Sequence, residues 1–149
     1  SRAPAVPVTI ADMTFQDLPR DWPTRPITDP RIIDDVLDLV VDERGRRGRC
    51  LAILVCDEAG LLLQPLMIDA LPERCDVTVL QTAVDVIDEV FECERAGCLV
   101  IALGRTDGLS VTDDDRAWVA AARDAIAGTG WRLSSAHIVT LHGSRAIAA

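Results

Sequence analysis

Two seven-residue runs, "CLAILVC" (Cys50–Cys56) and "CLVIALG" (Cys98–Gly104), constrain the fold more than anything else in the chain. Neither carries a charge, and neither alternates apolar with polar residues. A strand with one wet face alternates with a period of two, whereas a strand covered on both faces reads as a continuous apolar run. Both segments therefore predict inner strands of a sheet, and the covering layers must come from helices elsewhere in the sequence.

Three segments have the required pattern. "TDPRIIDDVLDLVVDERG" begins with Thr28 or Asp29 as N-cap and Pro30 in the first turn, and it stops at Gly45. Ile32, Ile33, Val36, Leu37, Val40 and Val41 recur at helical spacing as one apolar stripe. "VTVLQTAVDVIDEVFECERAG" repeats the pattern through Leu80, Ala83, Val84, Ile87, Val90 and Phe91, with Gly97 as a stop. A third helix follows Thr112, aligns Trp118, Val119, Ala122 and Ile126, and ends at Gly128 and Gly130.

The remaining strands follow from turn signals. "DEAG" (Asp57–Gly60) predicts a turn that returns the first apolar run as "LLLQPLMI" (Leu61–Ile68), with Pro65 indicating an edge or a bulge. "AHIVTLH" (Ala136–His142) predicts a fourth strand. Gly143-Ser144 then turns into a short last strand, Arg145–Ala148. Residues 1–28 are Pro-rich and read as an extended arm. "VPVTI" (Val6–Ile10) is its one candidate strand, and Phe15, Leu18 and Trp22 are candidate anchors. Residues 29–149 form the expected domain: single-domain α/β, three-layered, with a mixed central sheet and the order α-β-β-α-β-α-β-β. At 149 residues the chain can bury about two-thirds of its surface, so a core requires no metal or disulfide.

The charge is −9, and all 15 basic residues are Arg, since the chain contains no Lys. An acidic chain repels phosphate backbones, so nucleic acid is a disfavoured partner. The local exception is "ERGRRGR" (Glu43–Arg49), where Arg46, Arg47 and Arg49 read first as a solvated turn and second as an anion or acidic-partner contact. The five cysteines, Cys50, Cys56, Cys75, Cys93 and Cys98, form no CxxC pair and no zinc spacing. Free thiols, no leader-like start and no apolar run near the ~18 residues of a membrane span lead to the expectation of a reduced cytoplasmic protein without a membrane partner.

The chemistry, if any, lies in "ALGRTDGLSVTDDDRAW" (Ala102–Trp118). Thr112 stands where an N-cap should be. Asp115 stands three residues on, in the capping-box position, and Asp113, Asp114 and Asp115 put negative charge at the positive end of the helix dipole. That accounts for the acidic run without a ligand. A divalent cation would need more, because successive helical residues point about 100° apart and three adjacent carboxylates cannot converge alone. Asp107, Asp113 and Asp115, joined by carboxylates such as Asp57 or Asp69, make the alternative metal set. An anion site on "GRTDG" would be opposed by the same aspartates. No G-x-S-x-G, dinucleotide fingerprint or Walker A motif occurs.

The element order, and the strand–loop–helix from Cys98 to Ile126, resemble the JAB/MPN metalloprotease-like fold, in particular its RadC-like bacterial branch. The resemblance covers residues 28–149. In that family a buried strand ends in His-x-His-Pro and a Gly-bearing loop leads to Ser-x-x-Asp at a helix start. The two His and the Asp hold zinc, and a Glu from the early hairpin polarises the metal-bound water. The resemblance places Leu103 and Arg105 in the two His slots, Thr112 in the Ser slot and Asp115 in the Asp slot. Gln64 and Pro65 stand where the Glu would lie. Leu offers zinc no donor and Arg carries a fixed positive charge. His137 and His142, the only imidazoles, sit on the fourth predicted strand and face opposite sides of it. The cytidine-deaminase fold has a related element order, but its H-x-E and P-C-x-x-C ligands are absent too. The expectation is a degenerate metal site, no cofactor and no catalytic residue. The chain is then a pseudoenzyme acting as a protein-interaction or scaffolding module, with self-association as a homodimer among the expected modes. The apolar stripe of the first helix and the hairpin edge are its candidate surfaces. The alternative is a divalent-metal-dependent hydrolase using Asp107, Asp113 and Asp115.

Overall fold

The two apolar runs become neighbours in the middle of one sheet. In the computed structural model, which describes residues 13–15, 26–41, 46–91, 97–106 and 108–147, the strands are β1 (Met13–Phe15), β2 (Cys50–Cys56), β3 (Leu62–Asp69), β4 (Cys98–Gly104), β5 (Arg132–Thr140) and β6 (Gly143–Ala146). The helices are α1 (Pro30–Val40), α2 (Val77–Val90) and α3 (Asp113–Ile126). The sheet order is β1-β3-β2-β4-β5-β6, with β4 and β5 parallel and every other pair antiparallel. The parallel pair described is joined by a crossover through a helix, the usual connection for parallel strands.

Every residue of β2 and β4 is buried. The period of two divides them between two cores. Leu51, Ile53 and Val55 of β2, with Leu99, Ile101 and Leu103 of β4, pack beneath α2 and α3, where Leu80, Ile87, Trp118 and Val119 meet them. Ala52, Leu54, Cys56, Val100 and Ala102 face the other way, against Ile33, Val36, Leu37 and Val40 of α1. Among the described residues the architecture is three-layered α/β, with α1 over one face and α2 and α3 over the other. Fully burying a Leu or Ile side chain stabilises by about 1.5–3 kcal/mol, so these two facing sets are the main favourable contribution to the fold.

Several details depart from the sequence reading. The stripe of α1 is consumed by the second core and is not a free surface. Among the described residues, the large apolar side chains left exposed are Leu39, Val77, Val90 and Leu141. The predicted strand Val6–Ile10 lies outside the described residues, whereas Met13–Phe15, not expected as a strand, pairs with Leu66–Ile68. The hairpin edge is thus covered along that stretch. Pro65 lies just beyond it, and the bulge is next door: Val55 pairs with Gln64 but Cys56 pairs with Leu62. β5 starts four residues earlier than expected, at Arg132, and it ends at Thr140. The last strand begins at Gly143, not Arg145. The early start was hidden because Arg132–Ser135 alternate exposed with half-buried positions rather than reading as an apolar run. At the β2–β3 turn, Gly60 adopts a left-handed φ of 85°, and its carbonyl accepts the Ile27 N–H at 2.9 Å, which docks the segment before α1.

The two histidines are also separated differently. His142 is exposed in the turn after β5, and its N–H donates to Thr140 Oγ1 at 3.0 Å. His137 is buried on β5, with Nε2 2.9 Å from Ser135 Oγ, while Nδ1 has no hydrogen-bond partner. Burial pushes the His137 imidazole below its ordinary pKa, against the opposing pull of Asp34 on α1. A base whose pKa is lower folded than unfolded resists protonation only in the native state. Stability therefore holds above the unfolded value of about 6.5 and falls as pH drops below it. We expect His137→Gln, which keeps a donor or acceptor near Ser135, to flatten the decline in urea-denaturation stability below about pH 6.5. An unchanged slope in the variant would show that His137 is not its source.

Candidate functional site

The end of β4 and the start of α3 carry a buried charge pair. Arg105 follows the last residue of β4, and its N–H donates to Val139 of the parallel neighbour at 3.1 Å. Leu103 and Arg105 are two positions apart, so they share a face of the strand, the one beneath α3. Leu103 is packed in the core there. Arg105 turns its guanidinium into the crossover loop, where Nη1 donates to Asp115 Oδ1 at 2.5 Å. Nε and Nη2 donate to the Gly108 carbonyl at 3.2 and 3.0 Å, and Nη2 also donates to the Ser110 carbonyl at 2.7 Å. One planar fork thus binds a carboxylate and two backbone carbonyls, a geometry an ammonium group could not match. The side chains of Arg105 and Asp115 are only 9% and 3% exposed.

Thr112 and Asp115 build a complete capping box. Thr112 Oγ1 accepts the Asp115 N–H at 3.1 Å, and Asp115 Oδ2 accepts the Thr112 N–H at 2.8 Å. Asp115 therefore closes the helix with one oxygen and holds Arg105 with the other. Burial on its own would raise its pKa. The hydrogen bond and charge of Arg105 and the bonds to Thr112 outweigh that, and the carboxyl lies below its usual range.

The three aspartates have three separate tasks, as helical geometry requires. Asp113 is fully exposed and pairs with Arg116 one turn along, at 3.2 Å. Asp114 reaches sideways: Oδ1 accepts the Cys75 N–H at 2.8 Å and Oδ2 accepts the Trp118 indole N–H at 3.2 Å, which ties α3 to the loop before α2. Asp115 points inward to Arg105. Asp107, the loop member of the alternative metal set, lies outside the described residues. Among the described residues no three His, Cys, Asp or Glu side chains gather in a way that would hold a metal ion.

The arginine-rich stretch is partly structural. Arg46 is 12% exposed and donates to the Val41 carbonyl at 2.8 Å, the Thr140 carbonyl at 3.1 Å and Asp38 at 2.7 Å, so it joins the end of α1 to the end of β5. Arg49 donates to the Glu73 carbonyl at 3.1 Å and stands 3.8 Å from Asp114. Arg47 is exposed.

The sequence assigns Thr112 and Asp115 their helix-start geometry, but it presents Arg105 as a residue hostile to zinc or as part of an anion site, not as the partner of Asp115. Its partner was readable in principle. A cation leaving a buried strand and an inward carboxylate at the third position of the next helix both lie at one mouth of a single crossover. What the sequence lacked was the loop path that folds Gly108 and Ser110 around the guanidinium.

These features define a three-layer mixed α/β domain whose strand-to-helix crossover is closed by an internal ion pair. Compared with protein-family models, with curated proteins and with solved structures, the chain matches none.

Removing one member of a buried pair leaves the other charged and unpartnered, which costs about 3–5 kcal/mol. An exposed aspartate at a helix start contributes only about 0.3–1 kcal/mol. We expect Asp115→Ala to lower unfolding stability by the larger amount and Asp113→Ala by the smaller, measured by urea denaturation. Similar losses in the two variants would contradict the division of labour described above.

Proposed function

We propose that the chain is a non-catalytic interaction or scaffolding module, similar to a RadC-like JAB/MPN domain whose metal centre has been replaced by an internal ion pair. One observation carries the reading: Arg105 and Asp115, which occupy the second His slot and the Asp slot of that resemblance, are bonded to each other. The residues present do not fit zinc. Leu103 is a core hydrocarbon, Arg105 is a fixed cation at the centre of the site, and both oxygens of Asp115 are engaged. Thr112 is occupied as a helix cap. In this reading the guanidinium supplies the positive charge that a metal would bring and performs no chemistry with it. What survives is the rigid crossover.

A module of this kind acts through its surface, in a reduced cytoplasmic setting, on a protein partner or a second copy of itself. The outer edge of β6 has no neighbouring strand among the described residues, and exposed Leu141 adjoins it. Both support this reading over one that uses the stripe of α1.

The carboxylate-hydrolase alternative requires Asp115 to leave Arg105 for a cation. Melting curves with Mn²⁺, Mg²⁺ or Zn²⁺ separate the two, because a ligand bound to the native state raises apparent stability. We expect no shift with any of the three ions. A rise in Tm that disappears in Asp115→Ala would overturn the proposal.

A further inference from the structure

Six residues before the end of β4, roughly 20 Å from the ion pair at strand rise, the same strand begins beside a second chemical feature. Cys98 and Cys56 are directly opposite each other on the antiparallel strands β4 and β2. Opposed residues of such a pair have Cα atoms about 4.5–5.5 Å apart, within the span a disulfide bridges. Both are free thiols, and both are buried on the face that α1 covers.

Their surroundings differ. Cys98 lines an open pocket of about 380 Å³ whose other walls include Thr28, Gly60, Arg132 and Ser134. Cys56 does not line it. Irregularities flank the pair on both sides: β3 is bulged opposite Val55 and Cys56, and β5 is bulged at Ser134, opposite Leu99 and Val100. Bulges of this kind re-aim side chains and are frequent beside functional sites. The Cys98 Sγ donates to the Asp57 carbonyl at 3.9 Å and the Cys56 Sγ to the Leu54 carbonyl at 3.6 Å. The neighbouring Cys56 sulfur and Arg132, against burial and the charge of Asp57, draw the Cys98 thiol below its usual range, while Cys98, burial and Asp57 push Cys56 up. Cys98 is the sulfur that ionises first, and Cys56 is the one that keeps its proton. Cys75, by contrast, is half-buried away from the pocket, and burial with Asp114 and Asp76 pushes it up to about 11.

We propose that Cys98 and Cys56 form a dithiol responsive to hydrogen peroxide, in which Cys98 meets the oxidant in the pocket and Cys56 closes the disulfide. The Cys98 thiolate attacks one peroxide oxygen. The O–O bond breaks, hydroxide leaves and takes up a proton as water, and Cys98 becomes a sulfenic acid. The Cys56 sulfur then attacks the Cys98 sulfur. The S–S bond forms, the S–O bond breaks, and the departing oxygen leaves as water with the Cys56 proton. Two thiols are oxidised and one hydrogen peroxide is reduced to two waters. Arg132 at the pocket wall favours the thiolate and the departing hydroxide. A thiol reductant such as glutathione restores the pair by exchange. The disulfide would lock the two inner strands together at the end of the sheet where the segment before α1 docks on Gly60.

The test treats the full chain, reduced and carrying Cys75→Ser and Cys93→Ser, with a few equivalents of hydrogen peroxide, and maps the products by mass spectrometry. The expected product is a Cys56–Cys98 linked peptide pair that has lost two hydrogens and is recovered by reductant. Cys56→Ala is expected to stop at a Cys98 sulfenic acid captured by dimedone, and Cys98→Ala to leave Cys56 unmodified. Arg132→Gln, at an exposed position that leaves the core intact, is expected to slow Cys98 oxidation several-fold and to raise the pH midpoint of its alkylation. No linked peptide in the folded protein, oxidation of Cys56 in Cys98→Ala at the original rate, or an unchanged Cys98 rate in Arg132→Gln would overturn the proposal.

Discussion

Two opposite charges placed at the mouth of a crossover, out of water, determine how β4 becomes α3. Bringing a guanidinium and a carboxylate out of solvent costs several kcal/mol per ion, and their attraction offsets that only when the geometry is good and the remaining hydrogen-bonding capacity is filled. Here it is filled. Arg105 donates to Asp115 and to the carbonyls of Gly108 and Ser110, and Asp115 accepts from Arg105 and from the backbone of Thr112. The loop between strand and helix therefore takes its path from one side chain. The helix start, the loop and the strand end are fixed together, and Asp114 extends the same network to the loop before α2 and to the Trp118 indole.

The network also shows why a run of three aspartates need not attract a cation. A helix distributes its side chains around the axis, so the run faces solvent, the neighbouring loop and the interior in turn. Only the interior carboxylate meets a strong partner, and that partner is already a cation. An ion pair of this type is weak evidence for net stability, since apolar side chains of equal volume serve as well in many proteins. What the structure shows is that the observed loop path brings the Gly108 and Ser110 carbonyls and Asp115 together on one guanidinium.

How far the sequence could be read follows the same division. The inner strands were legible because covering both faces demands an unbroken apolar run, as in Cys50–Cys56 and Cys98–Gly104. The helices were legible because one buried stripe demands helical spacing, and the start of α3 because Thr112 and Asp115 stand at cap and third position. Three residues at Met13–Phe15 are too few to carry a period, so β1 was missed. The start of β5 was missed because Arg132–Ser135 lie at a bulged, partly wet margin where alternation replaces apolarity. At the site, Thr112 and Asp115 were recognisable from local chemistry. The pairing of Arg105 with Asp115 was not, because it depends on a loop whose backbone supplies three of the four guanidinium bonds. The stripe of α1 misled for a related reason: an apolar face is the same whether it covers a sheet or awaits a partner, and only the second core decided it.

Whether Arg105 and Asp115 act on each other is read from a double-mutant cycle. With Arg105→Met, Asp115→Leu and the double variant compared by denaturant unfolding, buried and hydrogen-bonded charges predict a coupling energy above about 1.5 kcal/mol, with the double variant more stable than the sum of the single losses implies. A coupling below about 0.5 kcal/mol, the additivity expected of independent sites, would contradict the account.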